Sequence, residues 1–191
     1  AARKASHPKR GLRVTGPNQV CSMDTFFVHH DGTKRAVLHV TDNFLKFSMT
    51  LVGAGTACNS ADSIRLLERW RSIFGKLPQT LVCDGGPEFA HRDFANFLAR
   101  SGCRNLRSPP YSHASNGFAE AHGKLLKNFV RKISDVDCEK VNLLAFEDIV
   151  LEATTAKNTA VGPTGFSATT AAFGFAPELS LVEPGSLQSV T

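Results

Sequence analysis

Leu81-Val82-Cys83-Asp84-Gly85-Gly86-Pro87 and Pro109-Pro110-Tyr111-Ser112-His113-Ala114-Ser115-Asn116-Gly117 decide the fold, the second leading directly into a helix-like segment that carries Glu120. The first passage is an apolar run closed by an acid and broken by Gly-Gly-Pro, the pattern of a short buried strand with a carboxylate exposed at its end. Thirty-five residues lie between Asp84 and Glu120. A strand-end acid and a helix-borne acid at that separation suggest two carboxylates folded back to one spot.

Upstream, three strand patterns follow one another: Val20 to His30, Arg35 to Thr41 and Phe44 to Val52, the last two separated by the turn-forming pair Asp42-Asn43. Short links between them suggest an antiparallel meander. The period then changes. Asn59 caps a helix with Asp62 three residues on, and Ala61, Ile64, Leu67, Trp70 and Phe74 recur at helical spacing until Gly75 stops it. Thr80 to Cys83 is a fourth strand, Arg92 to Arg100 a helix ended by Gly102, and Asn105 to Arg107 a fifth, brief strand. Helices follow over Phe118 to Ser134, Leu143 to Asn158 and Ala168 to Phe173. Three strands, then helices alternating with two more strands, predict an α/β domain with a five-stranded mixed sheet flanked by helices. That order is the ribonuclease H-like arrangement.

Residues 1–17 are polar and basic (Arg3, Lys4, Lys9, Arg10, Arg13) and broken by Pro8, Gly11 and Pro17, which predicts a flexible arm or linker. Residues 18–175 form the predicted core, and 176–191 a tail containing Pro and Ser. A chain of 191 residues is long enough for one domain with a real core and short for two. A composition 42% hydrophobic and 20% charged is that of an ordinary globular protein. No apolar run approaches the roughly 18–20 residues of a membrane span, so no membrane partner is expected, and no secretory signal pattern opens the chain. The net charge of +5 suits a polyanionic partner and does not prove one. Cys21, Cys58, Cys83, Cys103 and Cys138 are odd in number, widely spaced and free of any C-x-x-C. That pattern argues against a disulfide framework or a structural zinc site, and for a reducing compartment.

Asp24 sits mid-strand among apolar neighbours, where an unpaired carboxylate is costly and needs a partner or a cation. If the first and fourth strands are neighbours, Asp24 and Asp84 stand side by side, and two carboxylates that close call for a divalent ion. On the following helix, at about 100° per residue, Glu120, Lys124, Lys127 and Arg131 fall within one sector. Phe118, His122, Leu125, Phe129 and Ile133 fall opposite, as the expected apolar face. One acid followed by three bases suits a phosphodiester backbone entering a site. Taken alone, the same stripe is also that of a plain amphipathic helix with a solvated polar face.

Together these passages resemble a known family. Ser22–Asp24 (SMD), Cys83–Phe89 (CDGGPEF) and Pro109–Lys127 (PPYSHASNGFAEAHGKLLK) are similar to the catalytic core of retroviral and LTR-retrotransposon integrases, the D,D-35-E set. Gly162–Leu181 (GPTGFSATTAAFGFAPELSL) resembles the segment closing the core in the gypsy-like branch, and the match spans residues 18 to 182. The resemblance implies a ribonuclease H fold in which Asp24, Asp84 and Glu120 are the catalytic and metal-binding residues. It implies two Mg²⁺ ions, replaceable by Mn²⁺ and about 3.5–4 Å apart in such sites. The implied activity is that of a metal-dependent DNA polynucleotidyl transferase: 3′-end processing, then strand transfer of element DNA into target DNA.

Lys124 and Lys127 match positions that touch the DNA end, and Arg131, His113 and Asn116 join them as candidate DNA-binding residues. The segment 108–117 matches a mobile loop hinged at Asn116 and Gly117. The implied partners are DNA and further copies of the chain, as a homodimer or higher multimer with Trp70 one guess for the pairing face. The implied location is the nucleus or an intracellular nucleoprotein particle. Cys21, Gly85 and His113-Ala114 depart from the family pattern without removing an acid. The paired His and Cys of the family's zinc module and a carboxy-terminal barrel are missing, which suggests an excised core or a stripped-down relative. Two other classes share the fold: a domesticated, non-catalytic DNA-binding or assembly module, and a ribonuclease H-type nuclease that only hydrolyses.

Elsewhere, Asp42 reads as a turn former. His29 and His30, adjacent in a strand, point to opposite faces and make a poor chelating pair. Glu88 is placed either near the acids or at the surface.

Overall fold

The computed structural model describes residues 13–107, 113–135 and 144–175. The central strand of its sheet is β1 (Val20–His30), and everything that matters to the site is arranged about it. β2 (Thr33–Asp42) pairs antiparallel with one edge of β1, and β3 (Ser48–Val52) antiparallel with β2. On the other edge β4 (Thr80–Cys83) runs parallel to β1, and β5 (Arg104–Arg107) parallel to β4. The strand order β3-β2-β1-β4-β5 is therefore a mixed five-stranded sheet. With helices on both faces, this is the ribonuclease H-like architecture.

Helix α1 (Ser60–Phe74) begins at a capping box in which the Asn59 side chain accepts from the Asp62 N–H and Asp62 accepts from the Asn59 N–H. It ends at Gly75, whose φ of 74° is the left-handed conformation glycine adopts freely. Leu66, Leu67 and Trp70 of α1 meet Met23, Leu38, Leu81, Phe94 and Leu98 in one core layer. Trp70 is fully buried and its Nε1–H donates to Asn18 Oδ1 at 3.0 Å, so it is unavailable as a pairing face. A single turn, α2 (Pro87–Ala90), absent from the sequence expectation, precedes α3 (Arg92–Arg100). Pro at its first position and Gly86 before it start that turn.

The other face is covered by α4 (His113–Ser134) and α5 (Phe146–Thr159), whose Leu126, Val130, Ile149, Val150 and Ala153 pack on Phe26, Val28 and Val37. A short α6 (Ala168–Phe173) follows, capped by Ser167. Near β3 this second layer turns polar. Asn158 accepts from the Ser48 N–H at 2.9 Å and donates to the Ser48 carbonyl at 2.8 Å. The Thr50 and Thr154 hydroxyls meet at 2.8 Å. Lys157, buried, donates to the Ser48 hydroxyl and the Lys46 carbonyl. Burial, with the charge of Lys46 adding, lowers its pKa to about 7.

Several expectations are corrected. β3 starts at Ser48 rather than Phe44, because the carboxylate of Asp42 gathers the Phe44 and Leu45 N–H groups into the preceding turn. α4 starts at His113, so the backbone of 113–117 is helical and Glu120 lies in its interior rather than its first turn. Residues 108–112 of the expected loop lie outside the described residues, as do residues 1–12 of the expected arm and the expected tail 176–191. The buried face of α4 runs through Ala119, Gly123, Leu126 and Val130, about a quarter-turn from the expected one, and Leu125 is exposed. The reason is Gly123: a Cβ there would stand 3.0 Å from His39 Nε2, so the helix approaches β2 along its smallest side chain.

Cys21, Cys58, Cys83 and Cys103 are free and buried, and burial is the main cause that raises the pKa of each. Cys138 lies outside the described residues. Among the described residues no helix is long and apolar enough to cross a membrane.

Candidate active site

The parallel register of β1 and β4 pairs Ser22 with Val82. Two residues further along β1 comes Asp24, and two residues beyond Val82, just past the end of β4, comes Asp84, so the neighbouring strands deliver the two acids next to each other. The face of β1 that carries Asp24 is covered by α4, which brings Glu120 over the sheet. All three acids are half-buried. Burial raises the pKa of Asp24 to about 6, with the charges of Asp84, Glu120 and Glu88 adding to the rise and the Thr25 N–H opposing it. Asp24 thus feels three other carboxylates at once. Of the sequence-predicted trio, Asp84 and Glu120 are both near enough for their charges to act on Asp24.

Each strand acid is aimed by a nearby amide. Asp24 Oδ1 accepts from the Thr25 N–H at 2.8 Å, and Asp84 Oδ1 from the Gly86 N–H at 2.9 Å. Directly across from Asp24 in the β1–β2 ladder is His39, fully buried and neutral, its pKa lowered to about 3 by burial and the neighbouring charges of His122 and Lys157. An uncharged imidazole there leaves the negative potential of the acids undiminished.

Glu88, which the sequence left between the site and the surface, is buried. Its Oε1 accepts from the Thr25 hydroxyl at 2.5 Å. The Pro-started turn that buries it, four residues after Asp84, was not expected from the sequence. The two His at the far end of β1 play no part: His29 is exposed, and His30 pairs with Asp31 and packs on Phe146.

Gly86 sits where it does for want of space rather than for its backbone angles. A Cβ there would lie 2.6 Å from Glu88 Oε2 and 3.0 Å from Asp84 Oδ1. Gly86→Ala is therefore expected to push the Asp84 carboxylate off its aim. Divalent-ion affinity of the variant, read by calorimetric titration with Mn²⁺, should fall at least about tenfold while the thermal midpoint moves little.

Lys124 and Arg131 of α4 are exposed and Lys127 is half-buried. They stand on the flank of the helix that carries Glu120, one to three turns further on. The backbones of His113 and Asn116 are in the first turn of α4, and their side chains lie outside the described residues.

Among the described residues no three His, Cys, Asp or Glu side chains are already drawn into a ligand set for one ion. The donor chemistry nevertheless fits a hard divalent cation, since every candidate atom is a carboxylate oxygen and the acids repel one another. Asp24, Asp84 and Glu120 are the residues that would hold it.

The comparisons with known proteins agree with this architecture. The integrase core domain profile matches residues 14–113. A Gag-Pro-Pol polyprotein of squirrel monkey retrovirus is 26% identical over 129 residues, which make up 66% of this chain and 7% of that polyprotein. The chain thus spans a small fraction of the curated relative it matches. The HTLV-2 integrase catalytic core domain in complex with magnesium superposes with a TM-score of 0.69 at 20% identity, covering 85% of this chain and 99% of that one. The simian T-cell lymphotropic virus intasome gives a TM-score of 0.75 at 18% identity, over 98% of this chain and 66% of that one. The catalytic core domain of BIV integrase gives 0.63 at 15% identity, over 82% and 95%. With the profile matched across strands β1 to β5 and the sheet wound as in those cores, the chain belongs to the integrase core domain family.

Proposed function

We propose that this chain is the catalytic core of a metal-dependent DNA polynucleotidyl transferase, with Asp24, Asp84 and Glu120 as its metal-holding carboxylates. The observation that carries the reading is that Asp24 on β1 and Asp84 just beyond β4 stand on neighbouring parallel strands, with the charges of Asp84 and of Glu120 on α4 both raising the Asp24 pKa. The chemistry that a pair of Mg²⁺ or Mn²⁺ ions supplies in such a centre is an activated attacking oxygen and a stabilised leaving oxygen, with no covalent nucleophile. The chain's own residues do the rest. The Thr25 and Gly86 amides hold the two strand acids in their ionised orientation. Lys124, Lys127 and Arg131 line the flank along which a DNA backbone would leave the site, with His113 and Asn116 at the start of the same helix. Water attacks in 3′-end processing and a DNA 3′-hydroxyl attacks in strand transfer, so both steps use one carboxylate set. The working form pairs with further copies of the chain on DNA, in the nucleus or a nucleoprotein particle.

The test is cleavage and joining of a branched DNA oligonucleotide in Mg²⁺ and Mn²⁺, wild type beside Glu120→Gln, with an RNA–DNA hybrid as the third substrate. Joining that falls at least about a thousandfold in Glu120→Gln, equivalent to about 4 kcal/mol of lost charge stabilisation, is the expected result. Equal activity of the two proteins overturns the assignment. Hydrolysis of the hybrid without DNA joining identifies a nuclease, and inactivity of both proteins in both metals points to a core that acts only with further domains or to a non-catalytic module.

A further inference from the structure

Beyond the three acids, we infer that Glu88 is a positioning residue, fixing the distance between the Asp24 and Asp84 segments from behind the site through Thr25. The inference rests on the reading of Asp24 and Asp84 as metal-holding acids, and its geometry is independent of that reading. Neighbouring residues of a strand point to opposite faces, so Thr25 faces away from Asp24 and α4. From that far side Glu88 Oε1 takes the Thr25 hydroxyl, while Oε2 lies against Gly86, the residue whose amide aims Asp84. One carboxylate thus spans both acid-bearing segments, one residue from Asp24 and two from Asp84.

The bracket is itself anchored. The Ser63 hydroxyl of α1 donates to the Glu88 carbonyl at 3.1 Å, the Phe89 N–H donates to the Gly86 carbonyl at 3.0 Å, and Phe89 is fully buried in the core. Glu88 is 8% exposed, so its carboxylate has little water to fall back on, and the Thr25 hydroxyl is its neutral hydrogen-bond donor. One oxygen of Glu88 is taken by Thr25, whose side chain points away from Asp24 along β1, and of the three carboxylates that raise the Asp24 pKa that of Glu88 has the smallest effect. Its work is to hold the frame, as outer hydrogen bonds hold the ligands of metal sites generally.

The experiment compares Glu88→Gln, Glu88→Ala, Thr25→Val and Thr25→Ser in the full chain by two readouts. The first needs no metal: the ¹⁵N–¹H shifts of the Thr25 and Gly86 amides, which report the two aiming hydrogen bonds directly. The second is Mn²⁺ affinity by calorimetric titration. Both amides are expected to shift in Glu88→Ala and both to return toward wild type in Glu88→Gln, whose carbonyl still accepts from Thr25. Thr25→Val should move both and Thr25→Ser neither. Mn²⁺ affinity should fall about 10- to 100-fold in the two disruptive variants and recover in the two conservative ones. Unmoved amides in Glu88→Ala overturn the inference, as does a Glu88→Gln that loses Mn²⁺ as fully as Glu88→Ala, because charge rather than position would then be what matters. If the wild type binds no Mn²⁺, the reading of the acids falls, and the amide shifts alone decide the role of Glu88.

Discussion

Asp42→Ala is expected to lower the stability of the chain by roughly 3–5 kcal/mol, from the desolvation cost of the buried amides it leaves without partners. Asp42 is fully buried. Its Oδ2 accepts from the Asn18 N–H at 2.6 Å and its Oδ1 from the Phe44 and Leu45 N–H groups at 2.7 and 2.8 Å. Asn18, held at a φ of 56°, in turn binds the indole of Trp70 and the carbonyls of Lys76 and Leu77. A single carboxylate therefore ties the β2–β3 turn to the start of β1, and through Asn18 to α1 and the connection that follows it. The loss would appear in urea unfolding as a lower midpoint, and in heating as a drop of roughly 10 °C or more. Asp42→Asn, which keeps one acceptor oxygen, should lose clearly less. Equal loss in the two variants would show that charge, not the acceptor geometry, holds the turn.

Asp24→Asn should separate function from stability. Removing the central carboxylate is expected to abolish Mn²⁺ binding and DNA joining, yet to stabilise the metal-free chain at neutral pH by on the order of 1–2 kcal/mol. The sign follows from the raised pKa. Between the unfolded value of 3.8 and the folded value of about 6, the folded chain holds more protons on Asp24 than the unfolded chain does. Its stability therefore falls as pH rises through that window, and above pH 6 the full penalty of the ionised acid is present. The neutral amide of the variant carries no such penalty. Below pH 6 a proton competes with the metal, so Mn²⁺ affinity of the wild type should fall about tenfold per pH unit. A Mn²⁺ affinity flat from pH 5 to 7 would refute the placement of Asp24 among the ligands, and a metal-free Asp24→Asn no more stable than wild type would refute the repulsion argument.

Most of the sheet was legible because its signals are local. Alternation around Asp24, the Asn59–Asp62 cap and the apolar Thr80–Cys83 run each name their element without knowledge of its neighbours. The side-by-side placing of Asp24 and Asp84 was legible for a related reason: the start of β1 and most of β4 share a register once the two strands are known to pair in parallel. What stayed hidden depends on contacts between distant residues. The face that α4 buries is decided by His39 meeting Gly123, and hydrophobicity alone prefers Leu125, which the fold leaves exposed. Phe44 to Phe47 look like strand because nothing in their own sequence reveals that Asp42 has captured their amides. Glu88 and Lys157 are the same lesson for charge, since their burial depends on Thr25 and on the β3 end of the sheet.

The four buried thiols have a practical consequence. Two of them flank the acids along the chain, Cys21 on β1 and Cys83 immediately before Asp84, and all four keep their protons well above neutral pH. A thiol that is neither ionised nor exposed is chemically silent toward alkylating reagents. Each becomes reactive only while the strand or helix around it is open. The chain therefore carries its own unfolding clock, in which the alkylation rate at Cys83 times the opening of β4 and the rate at Cys58 times the loosening of the α1 start.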